Sequence, residues 1–173
     1  MRGGKLDGLF SDFMKIFATL CLFVTLAAQA TEIRLTDSQA LEIGKRIWKN
    51  ECAGTVSGLT SWNGGEEFPS LGIAHFIWYP QGKRGPFEES WPGLAKFLKN
   101  RGAPVQEWML GPCPWKKRAD FLADLNGPRL TALRQMLAAT VADQARYAAM
   151  RLESAIPKIL AAAPAAQRPR IEA

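Results

Sequence analysis

Histidine is almost missing from this 173-residue chain: His75 is the only one, which excludes a His-rich metal site. Cysteine is scarce, at three residues. No Gly-rich phosphate loop and no dinucleotide fingerprint occur, so nothing calls for a nucleotide, and no cofactor is expected. Internal repeats and interior low-complexity linkers are absent as well, leaving a single domain as the simplest organisation. Nor is there an apolar run of the roughly 20 residues that a membrane-spanning helix needs. The longest, from Ile16 to Ala28, falls short of that length.

That short run has its own meaning. Lys15 supplies a positive charge before it, and Ala28-Gln29-Ala30 supplies small residues after it, the pattern of a secretory signal cleaved after Ala30. Met14 directly precedes the pattern and is the expected start of translation. The expected organisation is a leader over residues 1–30, a domain over 31–163 and a disordered tail over 164–173. The product is then exported, periplasmic or secreted, and not membrane-spanning. The formal charge of +6 includes three basic and two acidic residues of the leader, so the mature chain carries +5. A basic exported protein is drawn to anionic surfaces, cell-wall polymers among them, although charge alone does not choose the surface.

Cleavage removes Cys21 and leaves Cys52 and Cys113. In an oxidising compartment such a pair is a candidate disulfide, closing a loop of roughly 60 residues.

Helix signals are clear. Thr36 followed by Gln39 makes a capping box, which predicts a helix from Asp37 to Cys52. Ser90 and Pro92 open a second helix that Gly102 closes. A short third covers Val105 to Leu110, a fourth Lys116 to Asp124, and the longest runs from Pro128 to Ala155, with Pro157 kinking or ending it. Between the first two helices, Leu59 to Trp62 and Ser70 to Tyr79 are rich in β-formers and flank Asn63-Gly64-Gly65-Glu66-Glu67, a hairpin pattern. The fold class is therefore α+β, mainly helical, with a small β-hairpin after the first helix.

On a wheel of about 100° per residue, Ala40, Leu41, Ile43, Gly44, Ile47 and Trp48 form one apolar arc of the first helix, and Glu51 falls near its middle. Glu42, Lys45, Arg46 and Lys49 occupy the opposite arc. A buried carboxyl is costly unless paired, hydrated or protonated, and a protonated carboxyl is what general acid catalysis uses. A glutamate at a frayed helix end, turned to water, is the plainer alternative.

A Glu that closes the first helix, followed by a hairpin carrying Ser70-Leu71-Gly72-Ile73-Ala74-His75, resembles the phage-type lysozyme family, in which the hairpin bears a Thr-Ile-Gly-Ile-Gly-His run. The resemblance covers Ile43 to Trp78. It implies a lysozyme-like domain that cleaves the glycan strands of peptidoglycan, with Glu51 protonating the glycosidic oxygen. It also implies that Ser70 lies near the attacking water and His75 beside the site. Ala74 replaces a glycine of the pattern, the loop before Ser70 is longer, and no aspartate stands in the hairpin as a second carboxylate. Glu66, in the turn from Trp62, is the preferred partner, with Glu67 beside it. Lytic transglycosylases of related fold use one Glu and release a sugar anhydride, so the lack of a second acid favours that outcome.

Trp62 and Trp78 flank the hairpin and are candidates to stack on sugars, or else core residues. Gln144 lies at the edge of the apolar stripe of the long helix, where it either orients Glu51 or ligand, or satisfies a loop. Two other functions remain open: a non-catalytic domain of this fold that binds wall glycan or a partner protein, and a Cys-His peptidase using Cys52 and His75. The second is disfavoured because a helix C-terminus raises a thiol's pKa. No nucleic-acid partner is expected.

Overall fold

The computed structural model describes residues 33–168; the expected leader, its cleavage site and Met14 lie outside them. The architecture is α+β and mainly helical, with one small antiparallel sheet.

Helix α1, Asp37–Glu51, begins as its sequence predicts. The Thr36 hydroxyl accepts the Gln39 N–H, and the Gln39 side chain accepts the Thr36 N–H at 3.0 Å. A three-stranded sheet follows: β1 (Thr60–Ser61), β2 (Ser70–Leu71) and β3 (Phe76–Ile77), in the order β1-β2-β3. Thr60 faces Leu71 and Ser61 faces Ser70, while Ser70 and Leu71 face Ile77 and Phe76. Helix α2, Trp91–Asn100, has Pro92 in its first turn, where a missing N–H costs nothing. A 3-10 turn, Glu107–Leu110, takes the place of the expected third helix, and α3 covers Arg118–Ala123.

The long C-terminal helix of the sequence reading is two helices, α4 (Pro128–Ala139) and α5 (Val141–Ala162). The break is at Thr140, whose hydroxyl donates back to the Met136 carbonyl at 2.9 Å, a local bond that competes with the helical ladder. Pro157 does not end α5. It lies on the exposed side of the helix, so the carbonyl it leaves without a helical partner is not stranded in an apolar interior. Beyond α5, Ala165–Gln167 form a 3-10 turn, and residues 169–173 lie outside the description. Among the described residues no helix is long and apolar enough to cross a membrane.

Two packings hold these elements. The first is aromatic. Trp78 stacks on Trp91 (5.1 Å between centroids) and on Trp108 (6.2 Å), and meets Trp115 edge-on; Trp115 and Trp62 both meet Phe121. Buried indoles need an acceptor, and three of them have one: Trp91 donates to the Met109 carbonyl, Trp115 to Asp124, Trp62 to the Glu66 carbonyl. The second is helical. Asp37 pairs with Arg146 at 2.5 Å while Gly44 sits on Val141, so α1 runs antiparallel to α5. Contact at Gly44 is so close that a Cβ there would meet the Val141 side chain and carbonyl at 2.7 Å.

Gly44→Val must push α1 off α5, because a backbone carbonyl cannot yield as a flexible side chain can. The expected loss is about 1–3 kcal/mol or more, read as a lower urea midpoint. An unchanged midpoint would mean that the two helices are not in this contact.

Candidate active site

Glu51 is exposed, and the burial expected from the wheel is not found. The middle of the arc is inward, since Ala40 and Gly44 are buried and Ile47 and Trp48 are half-buried, but Leu41 and Ile43 at its edges are exposed. What fails is the wheel's assumption of a partner along the whole helix. Helix α5 starts at Val141, opposite Gly44, so the last two turns of α1 project past its end. Among the described residues Glu51 makes no hydrogen bond or ion pair.

The chain then doubles back. Both Cys52 and Gly54 donate their N–H to the Trp48 carbonyl, and Ala53 and Gly54 adopt left-handed φ values of 54° and 67°. The Trp48 indole donates to the Thr55 carbonyl and locks the turn. This aims Cys52 inward, where its Sγ donates to the Gly72 carbonyl at 3.6 Å. The end of α1 is thereby joined to the turn between β2 and β3.

That turn, Gly72 to His75, is carried by Gln144. The Gln144 side chain is fully buried; its Oε1 accepts the Ile73 N–H at 3.0 Å, and its Nε2 donates to the Leu137 carbonyl at 2.7 Å and the Thr140 hydroxyl at 3.1 Å. Gly72 is required here twice over, by its φ of 71° and because a Cβ would lie 2.4 Å from Gln144 Oε1. His75, at φ 50°, closes the turn and is exposed. Gln144 thus supports the site from beneath and does not face a ligand.

The remaining candidates are dispersed. Ser70 is buried in the central strand. Trp62 and Trp78 are 5% and 1% exposed, so neither offers a face on which a sugar could stack. Glu66 is held by the Trp62 indole through its carbonyl, and its carboxylate Oε2 is buried with no hydrogen-bond partner. Its neighbour Glu67 faces Lys83 at 3.6 Å on the surface. No ion pair or hydrogen bond joins Glu66 to Glu51 among the described residues.

No disulfide joins Cys52 to Cys113. Cys113 is turned to the Trp115 carbonyl at 3.5 Å instead. Burial pushes the Cys113 thiol up to about 12; Glu89 adds to this and the bond to Trp115 opposes it. Cys52 is also raised, first by burial and then by Glu51, which works against the Cys-His peptidase since the thiolate is the nucleophile. No group of acidic, His and Cys side chains among the described residues is arranged to hold a metal ion.

The sequence reading missed a cavity of about 800 Å³, formed by residues 78–85 with Phe87, Glu89, Pro92 and the 111–113 segment. Pro80 bridges to Cys113 at its floor. Gln81-Gly82-Lys83-Arg84-Gly85-Pro86 was the available signal, a glycine- and cation-rich loop directly after a β-rich run. Neither Glu51 nor Glu66, Ser70, His75 or Gln144 lines this cavity, whereas an edge of the buried Trp78 does.

No family model, curated protein or solved structure matches this chain. The functional reading therefore stands on the residues and their geometry.

Two outcomes follow from the buried groups. Gln144→Leu strands the Ile73 N–H, while the Leu137 carbonyl keeps the Thr140 N–H, and should cost about 1–3 kcal/mol, measured by urea unfolding. A loss within error would show that the clamp is dispensable. Cys113 has a folded pKa above its unfolded value near 9, so the folded state holds the extra proton between pH 9 and 12. Its stabilisation is complete below about pH 9 and is lost as pH rises through that window. Wild type should lose more stability than Cys113→Ala from pH 9 to 11; parallel curves would contradict this.

Proposed function

We propose that the chain is an exported enzyme of lysozyme-like fold that cleaves the glycan strands of peptidoglycan, with Glu51 as the general acid. The observation that carries this is the junction of α1 with the hairpin turn. Cys52, the residue after the exposed Glu51 that ends α1, is bonded to Gly72 in the turn that also carries the exposed His75. A general acid must reach the glycosidic oxygen, and a rigid helix end beside a clamped turn positions a carboxyl for that.

Chemistry with a single carboxyl suits this arrangement better than a two-acid mechanism. Glu66 is committed inward, with an oxygen buried and unpartnered. Glu51 gives its proton to the glycosidic oxygen as the bond to the anomeric carbon breaks. A hydroxyl of the same sugar then attacks that carbon and returns its proton to Glu51, which leaves an intramolecular anhydride and restores the acid. Water in place of that hydroxyl would give plain hydrolysis.

A second reading, a wall-binding domain without turnover, is favoured by one observation: Glu51 is not among the residues that line the 800 Å³ cavity.

Glu51→Gln, assayed on purified cell walls, separates the two. Loss of a general acid should lower the release of soluble muropeptides by roughly 10²- to 10⁴-fold, and the wild-type products should be lighter by one water than hydrolysis products. Release that is equal in the variant would sink the catalytic role, and wall binding without any release would establish the second reading.

A further inference from the structure

We infer that the 800 Å³ cavity beside the hairpin binds a short zwitterionic peptide with an excess of carboxylates, the stem peptide of the wall polymer. The identity of the peptide rests on the glycan-cleaving reading; the charge pattern that selects it does not. A volume of this size suits a small ligand. Two cations line the cavity, Lys83 and Arg84, against one anion, Glu89. Lys83 is held only by a 3.6 Å surface pair with Glu67, both side chains being more than half exposed, so its ammonium is free to take a better partner. Arg84 makes no ion pair among the described residues. Glu89 is half occupied: its Oε1 accepts the Tyr79 N–H at 2.8 Å, leaving Oε2 for a cation. Phe87, 60% exposed, and Pro112 add apolar wall.

A ligand complementary to this lining carries two carboxylates, one ammonium and small apolar groups between them. A stem peptide of alanine, glutamate and a diamino acid has this excess of carboxylates over ammonium groups, whereas a bare glycan strand carries no ammonium at all. Position agrees with composition. The chain runs from the His75 turn along β3 to Trp78 at the cavity, a reach of about 10 Å at strand spacing, short beside the length of a glycan strand with its peptide.

The test is calorimetric titration of the whole protein with the free tetrapeptide of alanine, glutamate, diaminopimelate and alanine. Wild type should bind it, and Glu51→Gln should bind it equally well. The Lys83→Ala/Arg84→Ala double variant should bind roughly ten- to hundredfold more weakly. Amidating the peptide's carboxylates should weaken binding to wild type by a similar factor, a measurement that needs no variant to fold. Absence of binding by wild type at millimolar peptide, or equal affinity for the amidated form, would overturn the inference even if Glu51→Gln abolishes wall cleavage. Peptide binding in a protein whose wall cleavage survives Glu51→Gln would uphold the cavity and sink only the catalytic reading.

Discussion

One buried amide ties the domain together. Gln144 bonds at the same time to the hairpin turn at Ile73, to the carbonyl of Leu137, which also accepts the Thr140 N–H where α4 ends, and to the hydroxyl of Thr140 in the break. Each bond adds only about 0.5–1.5 kcal/mol net, but leaving any of these buried groups unpaired costs more than its bond contributes. Sheet, helix break and turn are thereby made conditional on one another. The turn cannot shift without stranding an N–H, and Thr140 cannot rejoin the helix without stranding the amide.

From that clamp the exposed features follow. Gly72, pressed against Gln144, has the left-handed backbone that returns the chain toward β3, and its carbonyl receives the Cys52 thiol. Glu51 is thus placed by contacts beneath it that it does not make itself. The aromatic cluster around Trp78 does the same for the other end of β3, where the chain leaves the core and opens into the loop of Lys83 and Arg84. The short strand β3 thus leads from the turn joined to the end of α1 to a cavity lined by two cations.

How far the sequence could be read depended on the range of the interactions. The capping box at Thr36, the start of α2 at Trp91 and the β-rich run before Tyr79 are set within a few residues, and each is found where its pattern puts it. The long helix failed at Thr140, since a break stabilised by a side chain four positions on is invisible to propensity. Trp62 and Trp78 were ambiguous for a related reason: an indole suits a sugar or a core equally well, and only the neighbours Phe121 and Trp91 decide.

Glu51 shows the division most clearly. Its place on the apolar arc of α1 is fixed by helical periodicity alone, and so is its place at the helix end. Whether that arc is covered depends on where α5 begins, and α5 begins at Val141 because Gln144 and Thr140 end the helix before it. The sequence by itself determined the helix starts at Asp37 and Trp91, the fold class and the acidic helix end. Tertiary structure decided that the long helix breaks at Thr140, that the acid faces solvent, that Trp62 and Trp78 belong to the core, that the two thiols remain apart and that a cavity opens beyond β3, since each of these depends on side chains that meet only in the fold.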